Sequence, residues 1–181
     1  MGAKPMKTMK LAGTVAAMAL MLALSACNKP AETSAPVAAA ATDTAKVDTA
    51  AVAESVKADV AGLVAAFNAR DAAKAVSYDA PEYVSMMHGV PNVVGPEADL
   101  IATKAQVSDP NAKLAVSDES VDIAASGDLA VYRATYAYTF TDAKTKAPTT
   151  ETGNWVLVFK TRPDGARKIS LGVISDLPPA S

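Results

Sequence analysis

The sequence predicts an α+β domain in which helices come first and a run of antiparallel strands follows. Three observations predict it. Apolar residues recur at helical spacing between Val52 and Phe67. Turn chemistry divides residues 113–175 into four stretches rich in β-branched and aromatic residues. No helical pattern intervenes between those stretches, so consecutive ones are expected to pair as an antiparallel meander.

The elements follow in order. Val52, Val56, Val60, Leu63, Val64 and Phe67 form one apolar helical face, with Lys57, Asp59 and Asn68 off it. Asp48 or Thr49 can cap its start. "ARDAAKAVSYD" reads as a break, with Asp71 capping a second short helix that ends near Tyr78. "EYVSMMHGV", Glu82 to Val90, reads as a short strand or two before the turn signals Pro91-Asn92 and Gly95-Pro96. "PEADLIATKAQV" is expected to be a third helix, with Pro96 at its first position and Leu100, Ile101 and Val107 facing inward.

After Asp109-Pro110-Asn111 the strands begin. The first covers about Lys113 to Ala125 and bends near Ser117-Asp118. "SGD" turns into the second, Leu129 to Phe140, and the polar loop "TDAKTKAP" into the third, Thr149 to Lys160. "RPDG" is a tight turn into the fourth, Arg167 to Ser175.

Residues 1–26 read as a processing segment. Lys4, Lys7 and Lys10 make a basic start and Leu11 to Leu24 an apolar run. That run falls short of the about 20 apolar residues a membrane-spanning helix needs and fits a secretory signal. Residues 28–48 are rich in Ala, Thr and Pro and almost free of large apolar side chains, so they cannot offset their ordering entropy and are expected to be a flexible tether. The expected organisation is a signal over 1–26, a tether over 27–48 and a folded domain over 49–181.

Composition excludes several classes of chemistry. The net charge of −2 becomes −5 once residues 1–26 are removed, and no basic stripe with interleaved aromatics is present, so no nucleic-acid partner is expected. Cys27 is the only cysteine and His88 the only histidine, which excludes an intrachain disulfide, a thiolate metal cluster and a multi-histidine zinc site. The glycines are isolated, with no phosphate loop or dinucleotide fingerprint, so neither a cofactor nor a metal is expected.

Two resemblances add to this reading. Leu24-Ser25-Ala26-Cys27 resembles the lipobox of bacterial lipoproteins, which implies cleavage before Cys27 and acylation of its sulfur and new amino group. Each buried acyl CH2 adds about 0.8 kcal/mol of membrane affinity. Asn28 stands where lipoproteins retained in the inner membrane usually carry Asp, so the resemblance implies the outer membrane, facing the periplasm.

The second resemblance is carried by "FNARDAAKAVSYDAP", "VPNVVGPEADL", "SGDLAVYRATYAYTFTD" and "GNWVLVFKTRPDGARKISLGVISDL". In this order they resemble the nuclear transport factor 2-like superfamily, also called SnoaL-like or ketosteroid isomerase-like. The resemblance implies a cone-shaped, cystatin-like roll, in which a strongly curved antiparallel sheet wraps around the N-terminal helices and leaves an apolar pocket open at one end. It also implies a homodimer. Relatives commonly carry Trp before Lys in the final strand, where this chain has Ala166-Arg167-Lys168.

Candidate site residues follow from strand parity and from the chemistry such a pocket could run. Tyr132, Tyr136 and Tyr138 share one face of their strand with Ala130, Ala134 and Phe140, and Trp155, Leu157 and Phe159 share a face of the next. Arg133, Thr135 and Thr139 lie on the opposite, solvated face. Tyr78, Tyr132, Tyr138 and Trp155 are therefore the candidate ligand-pocket residues. An isomerase of this type needs a carboxylate base and a Tyr facing one cavity. Asp79 and Glu82, near the expected cone mouth, are the candidate bases, His88 a titratable alternative, and Tyr136 the candidate partner of the base. The functional expectation is a membrane-anchored periplasmic lipoprotein whose domain binds a small apolar molecule or forms a homodimer. The alternatives are a ketosteroid isomerase-like isomerase, cyclase or dehydratase, and an envelope assembly module.

Overall fold

The computed structural model describes residues 47–178. The signal segment, the acylation site at Cys27 and nearly all of the tether lie outside the described residues.

The helices are α1 (Thr49–Asn68), α2 (Ala72–Val76) and α3 (Pro96–Val107). The strands are β1 (Asp79–Met87), β2 (Val93–Val94), β3 (Lys113–Ile123), β4 (Leu129–Thr141), β5 (Pro148–Thr161) and β6 (Arg167–Asp176). The helix starts are set by side chains: Asp48 accepts from the Ala51 N–H and Asp71 from the Lys74 N–H. At α3, Gly95 at φ 83° turns the chain into the helix and Pro96 occupies its first turn. Arg70, at φ 64°, ends α1 and donates to the carbonyls of Val107, Asp109 and Pro110, which fastens the end of α3 to the end of α1.

The six strands form one curved, unclosed sheet in the order β2-β1-β6-β5-β4-β3. Strands β3 to β6 are the expected meander, and all their pairings are antiparallel. The bend expected near Ser117-Asp118 is a register shift between Ser117 and Ser120, with Asp118 at φ 55°. One feature departs from a simple meander. Strand β1 begins at Asp79, three residues before the expected Glu82, and runs parallel to β6, because the chain reaches the far edge strand β3 only after crossing through α3.

The concave face of the sheet holds the core. Val56 and Val60 of α1 pack on Tyr132, Leu157, Phe159 and Ile169, all buried. A second cluster at the helix ends joins Phe67, Ala72, Ala75 and Val107. In α3 the phase differs from the expectation. Leu100 and Val107 do face the second cluster, but Ile101 is 73% exposed. A 100° step per residue carries position 101 away from the side that holds Asp99, Thr103 and Gln106. The convex face also differs. Beside the exposed Arg133 it carries the half-buried Val131, Val156, Val158, Leu171 and Val173, which neighbour one another across β4, β5 and β6. Among the described residues no helix is long and apolar enough to cross a membrane.

Candidate functional site

Between the concave face and helices α1 and α3 lies a cavity of about 350 Å3, open at one end. Its walls are largely apolar and aromatic, with Leu63, Phe67, Leu114, Leu157 and Ile169 among them.

One end of the cavity is built around two carboxyls. Asp79 opens β1 opposite Ile169 of β6, and Asp99 sits in the first turn of α3 on the side of that helix that faces the sheet. The two meet carboxyl to carboxyl, a contact that holds only when one of them carries a proton. Burial pushes Asp79 up to about 8; the charge of Asp99 and the hydrogen bond to it add to the rise, and Lys168 opposes it. Burial raises Asp99 as well, while hydrogen bonds from Asp79 and Thr103 restrain it. The pair thus behaves as one unit that holds a shared proton at neutral pH. Asp79 Oδ2 is buried without a hydrogen-bond partner unless the Asp99 carboxyl supplies one.

Tyr83 stands beside this pair. Burial and the nearby Asp99 raise its hydroxyl well above the ordinary tyrosine value, so it stays a neutral donor. The hydroxyl reaches across Gly172 of β6, where a Cβ would lie 2.9 Å from its oxygen. Only glycine leaves that path clear.

A similar arrangement recurs toward the other end of the sheet. Tyr136 of β4, Gly153 of β5 and Asp176 of β6 stand in one row across three strands. Tyr136 lies over Gly153 and donates to Asp176 Oδ1 at 2.6 Å. A Cβ on Gly153 would meet Tyr136 Cε1 and the Ser175 carbonyl oxygen at 2.5 Å each. Glu151, opposite Tyr138, is raised by burial and by the charge of Asp176. Tyr138 itself is packed edge-on to Phe67 and stacked on Phe140.

The structure brings together some of the residues singled out from sequence. Asp79, Tyr136, Tyr138 and Trp155 line the cavity, and His88 lies in the exposed turn after β1, at the rim. Tyr78 and Tyr132 do not line it. The Tyr78 hydroxyl packs against Gly62 of α1, and Tyr132 is fully buried in the core with its hydroxyl donating to Glu119 at 2.6 Å. Glu82 points away and pairs with Arg162 at 3.0 Å. Sequence reasoning missed Asp99, Tyr83, Glu151 and Asp176. Alternation could have found the last two, since Glu151 shares parity with Trp155 and Asp176 with Ile174. Among the described residues no three His, Cys, Asp or Glu side chains stand close enough to share a metal ion.

Solved structures share this architecture. A nuclear transport factor 2-like superfamily protein from Salmonella enterica serovar Typhimurium superposes with a TM-score of 0.62 at 13% identity, over 74% of this chain and 96% of the other. An NTF2-like protein with a cystatin-like fold from Novosphingobium aromaticivorans gives 0.57 at 13% identity, over 71% and 83%. The fold is the cystatin-like roll of the nuclear transport factor 2-like proteins. A ketosteroid isomerase-like protein from Erwinia carotovora atroseptica has the same roll, with a TM-score of 0.57 at 17% identity over 68% of this chain and 95% of the other. At such identities the likeness is one of fold. No protein-family model matches the sequence, and no curated protein matches it. What this nuclear transport factor 2-like roll does must therefore be argued from its own cavity.

Proposed function

We propose that the domain is a ligand-binding module that takes a small molecule with an apolar body into the cone and seats its polar end on Asp79 and Asp99. One observation carries this reading: a buried carboxyl oxygen of Asp79, with no partner but the Asp99 carboxyl, belongs to a side chain that lines an open, aromatic-walled cavity large enough for such a molecule. A donor on the ligand completes the hydrogen bonding that the protein leaves unfinished. Mass spectrometry of small molecules released from the purified protein tests it. The wild type is expected to release a molecule that Ala102→Trp, which fills the cavity, does not retain; identical profiles would contradict the reading.

A second reading, acid–base catalysis of the isomerase or dehydratase kind, is favoured by the Asp79 proton, held with a pKa of about 8 and so exchangeable near neutral pH. Neutral Tyr83 beside it is placed to donate to an oxygen on the substrate. Deuterium incorporation into C–H positions of the released molecule separates the readings. An enzyme accelerates it, with a loss of about 100-fold in Asp79→Asn; a binder leaves it at the solution rate.

The site of action in this proposal is the periplasmic face of the outer membrane, with Cys27 as the acylated anchor. Its support is the run Leu24-Ser25-Ala26-Cys27 behind a basic and apolar leader. Intact-mass measurement of membrane-extracted protein should show a chain that begins at Cys27 and carries acyl groups. A chain with another start, or without acyl mass, would refute it.

A further inference from the structure

The charge around the cavity is one-sided. Asp79, Asp99, Glu151 and Asp176 all line it, while no Lys or Arg side chain does, and His88 stands only at the rim. Lys168, the cation whose charge is felt at Asp79, is held elsewhere, with its Nζ donating to the Ser77 carbonyl at 2.6 Å. The carboxyls are also spread out. Asp79 stands opposite Ile169, and Asp176 lies seven residues further along β6, about 20 Å of strand. The aromatic rings of Tyr83, Tyr136, Tyr138 and Trp155 line the space along this course.

Such a lining discriminates between ligand charges. An anion would meet four carboxyls and no cation. A neutral molecule could fill the apolar volume, yet it would leave the Asp79–Asp99 pair to keep its own proton. A protonated amine offers several N–H donors and a charge that both carboxylates and aromatic faces attract. We infer that the pocket selects an organic ammonium ion with an aromatic or alkyl body, whose charged head displaces the shared proton and sits on Asp79 and Asp99, while Glu151 and Asp176 draw it in from the open end. This deepens the ligand-binding reading and rests on it.

The exchange balances simply. One proton leaves the carboxyl pair for solvent, the ammonium keeps its own protons, and the bound complex holds a dicarboxylate against a monocation. Binding should therefore tighten as pH rises until the pair has already lost its proton. The groups that face the pair are Thr103 from α3 and Tyr83 from β1, and the charge of Lys168 on β6 reaches it from outside the cavity. The proton exchanged near neutral pH is the pair's own. His88, the single histidine of the chain, stands at the rim and so needs a control.

The protein carries its own reporter, because its single tryptophan, Trp155, lines the cavity. Trp155 fluorescence is titrated with three probes that share one phenylalkyl body: 2-phenylethylammonium, 2-phenylethanol and 3-phenylpropanoate. The ammonium is expected to bind saturably at pH 8, at least tenfold more tightly than the alcohol, with no response to the anion. Its affinity should rise about tenfold per pH unit from pH 6 and level off near pH 8, with about one proton released per ligand in weakly buffered solution. His88→Gln should keep that profile, and Asp99→Asn should move its plateau to lower pH and weaken binding at pH 8. If Asp99→Asn fails to fold, proton release by the wild type decides the point alone. Alcohol or anion binding as tightly as the ammonium, or ammonium binding without pH dependence, would overturn the inference and leave the ligand-binding reading standing. Silence from all three probes would overturn both.

Discussion

Asp79 holds its proton more tightly in the fold than an unfolded chain would, and this has a consequence for stability. Its pKa rises from 3.8 to about 8, chiefly through burial. Between those values the folded state binds a proton that the unfolded state has released, so stability falls as pH rises from about 4 to about 8 and is level beyond. Asp79→Asn should flatten that slope and be more stable than the wild type at pH 8, by about 2 kcal/mol once the carboxyl's partial exposure is allowed for. Urea denaturation at pH 5 and pH 8 reads both values, and parallel slopes in the two proteins would contradict the burial argument. Gly153 gives a second test at the same scale. Its absent side chain lets Tyr136 cross to Asp176, so Gly153→Ala should cost about 1–3 kcal/mol by overpacking, measured as a lowered urea midpoint at unchanged m. Gly153 and Gly172 could not have been recognised in the sequence as bridges for tyrosines. Their role depends on which residues stand opposite them, and register is a property of the folded sheet.

The elements themselves were largely legible. Asp48, Asp71 and Pro96 announce three helix starts through local chemistry, and the turns "SGD" and "RPDG" separate strands where the structure separates them. Local signals decide such boundaries because caps and tight turns are completed within a few residues. The face of α3 was less legible. Apolar Ile101 suggested an inward side, yet the helix turns Asp99 and Thr103 to the cavity and leaves Ile101 outside. A polar face turned inward defeats a reading by hydropathy, and such faces belong to functional sites. Arg70 joins two elements and offers a test at this scale. Its guanidinium satisfies the carbonyls of Val107, Asp109 and Pro110 just where α3 ends. Arg70→Ala should lower stability by about 2 kcal/mol, and Arg70→Lys should recover little, since a single ammonium cannot reproduce the planar fork. Full recovery by lysine in thermal unfolding would show that charge alone matters there.

At the scale of the molecule, the order of helices and strands conveyed the α+β roll, because the later meander needs only neighbouring strands to pair. The parallel docking of β1 on β6 and the apolar convex face were not legible from alternation alone. Val131, Val158 and Leu171 form one row there, beside a row of Val156 and Val173 that reaches Met86, 41% exposed. A second copy of the chain, facing the first through these rows, would cover them. Sedimentation equilibrium of the domain is expected to give a dimer that Val158→Glu converts to a monomer with the fold intact; a wild-type monomer at tens of micromolar would contradict it. The pocket opens on the concave side of the same sheet, so ligand uptake should survive that change.

The central claim is that Asp79 and Asp99 share one proton at the edge of a ligand cavity. Carbon-13 NMR of aspartate-labelled protein, followed through a pH titration of the carboxyl signals, tests it most directly. The account predicts a step near pH 8 felt by both residues and moved to lower pH in Asp99→Asn. Independent titration of both carboxyls near pH 4 would contradict it.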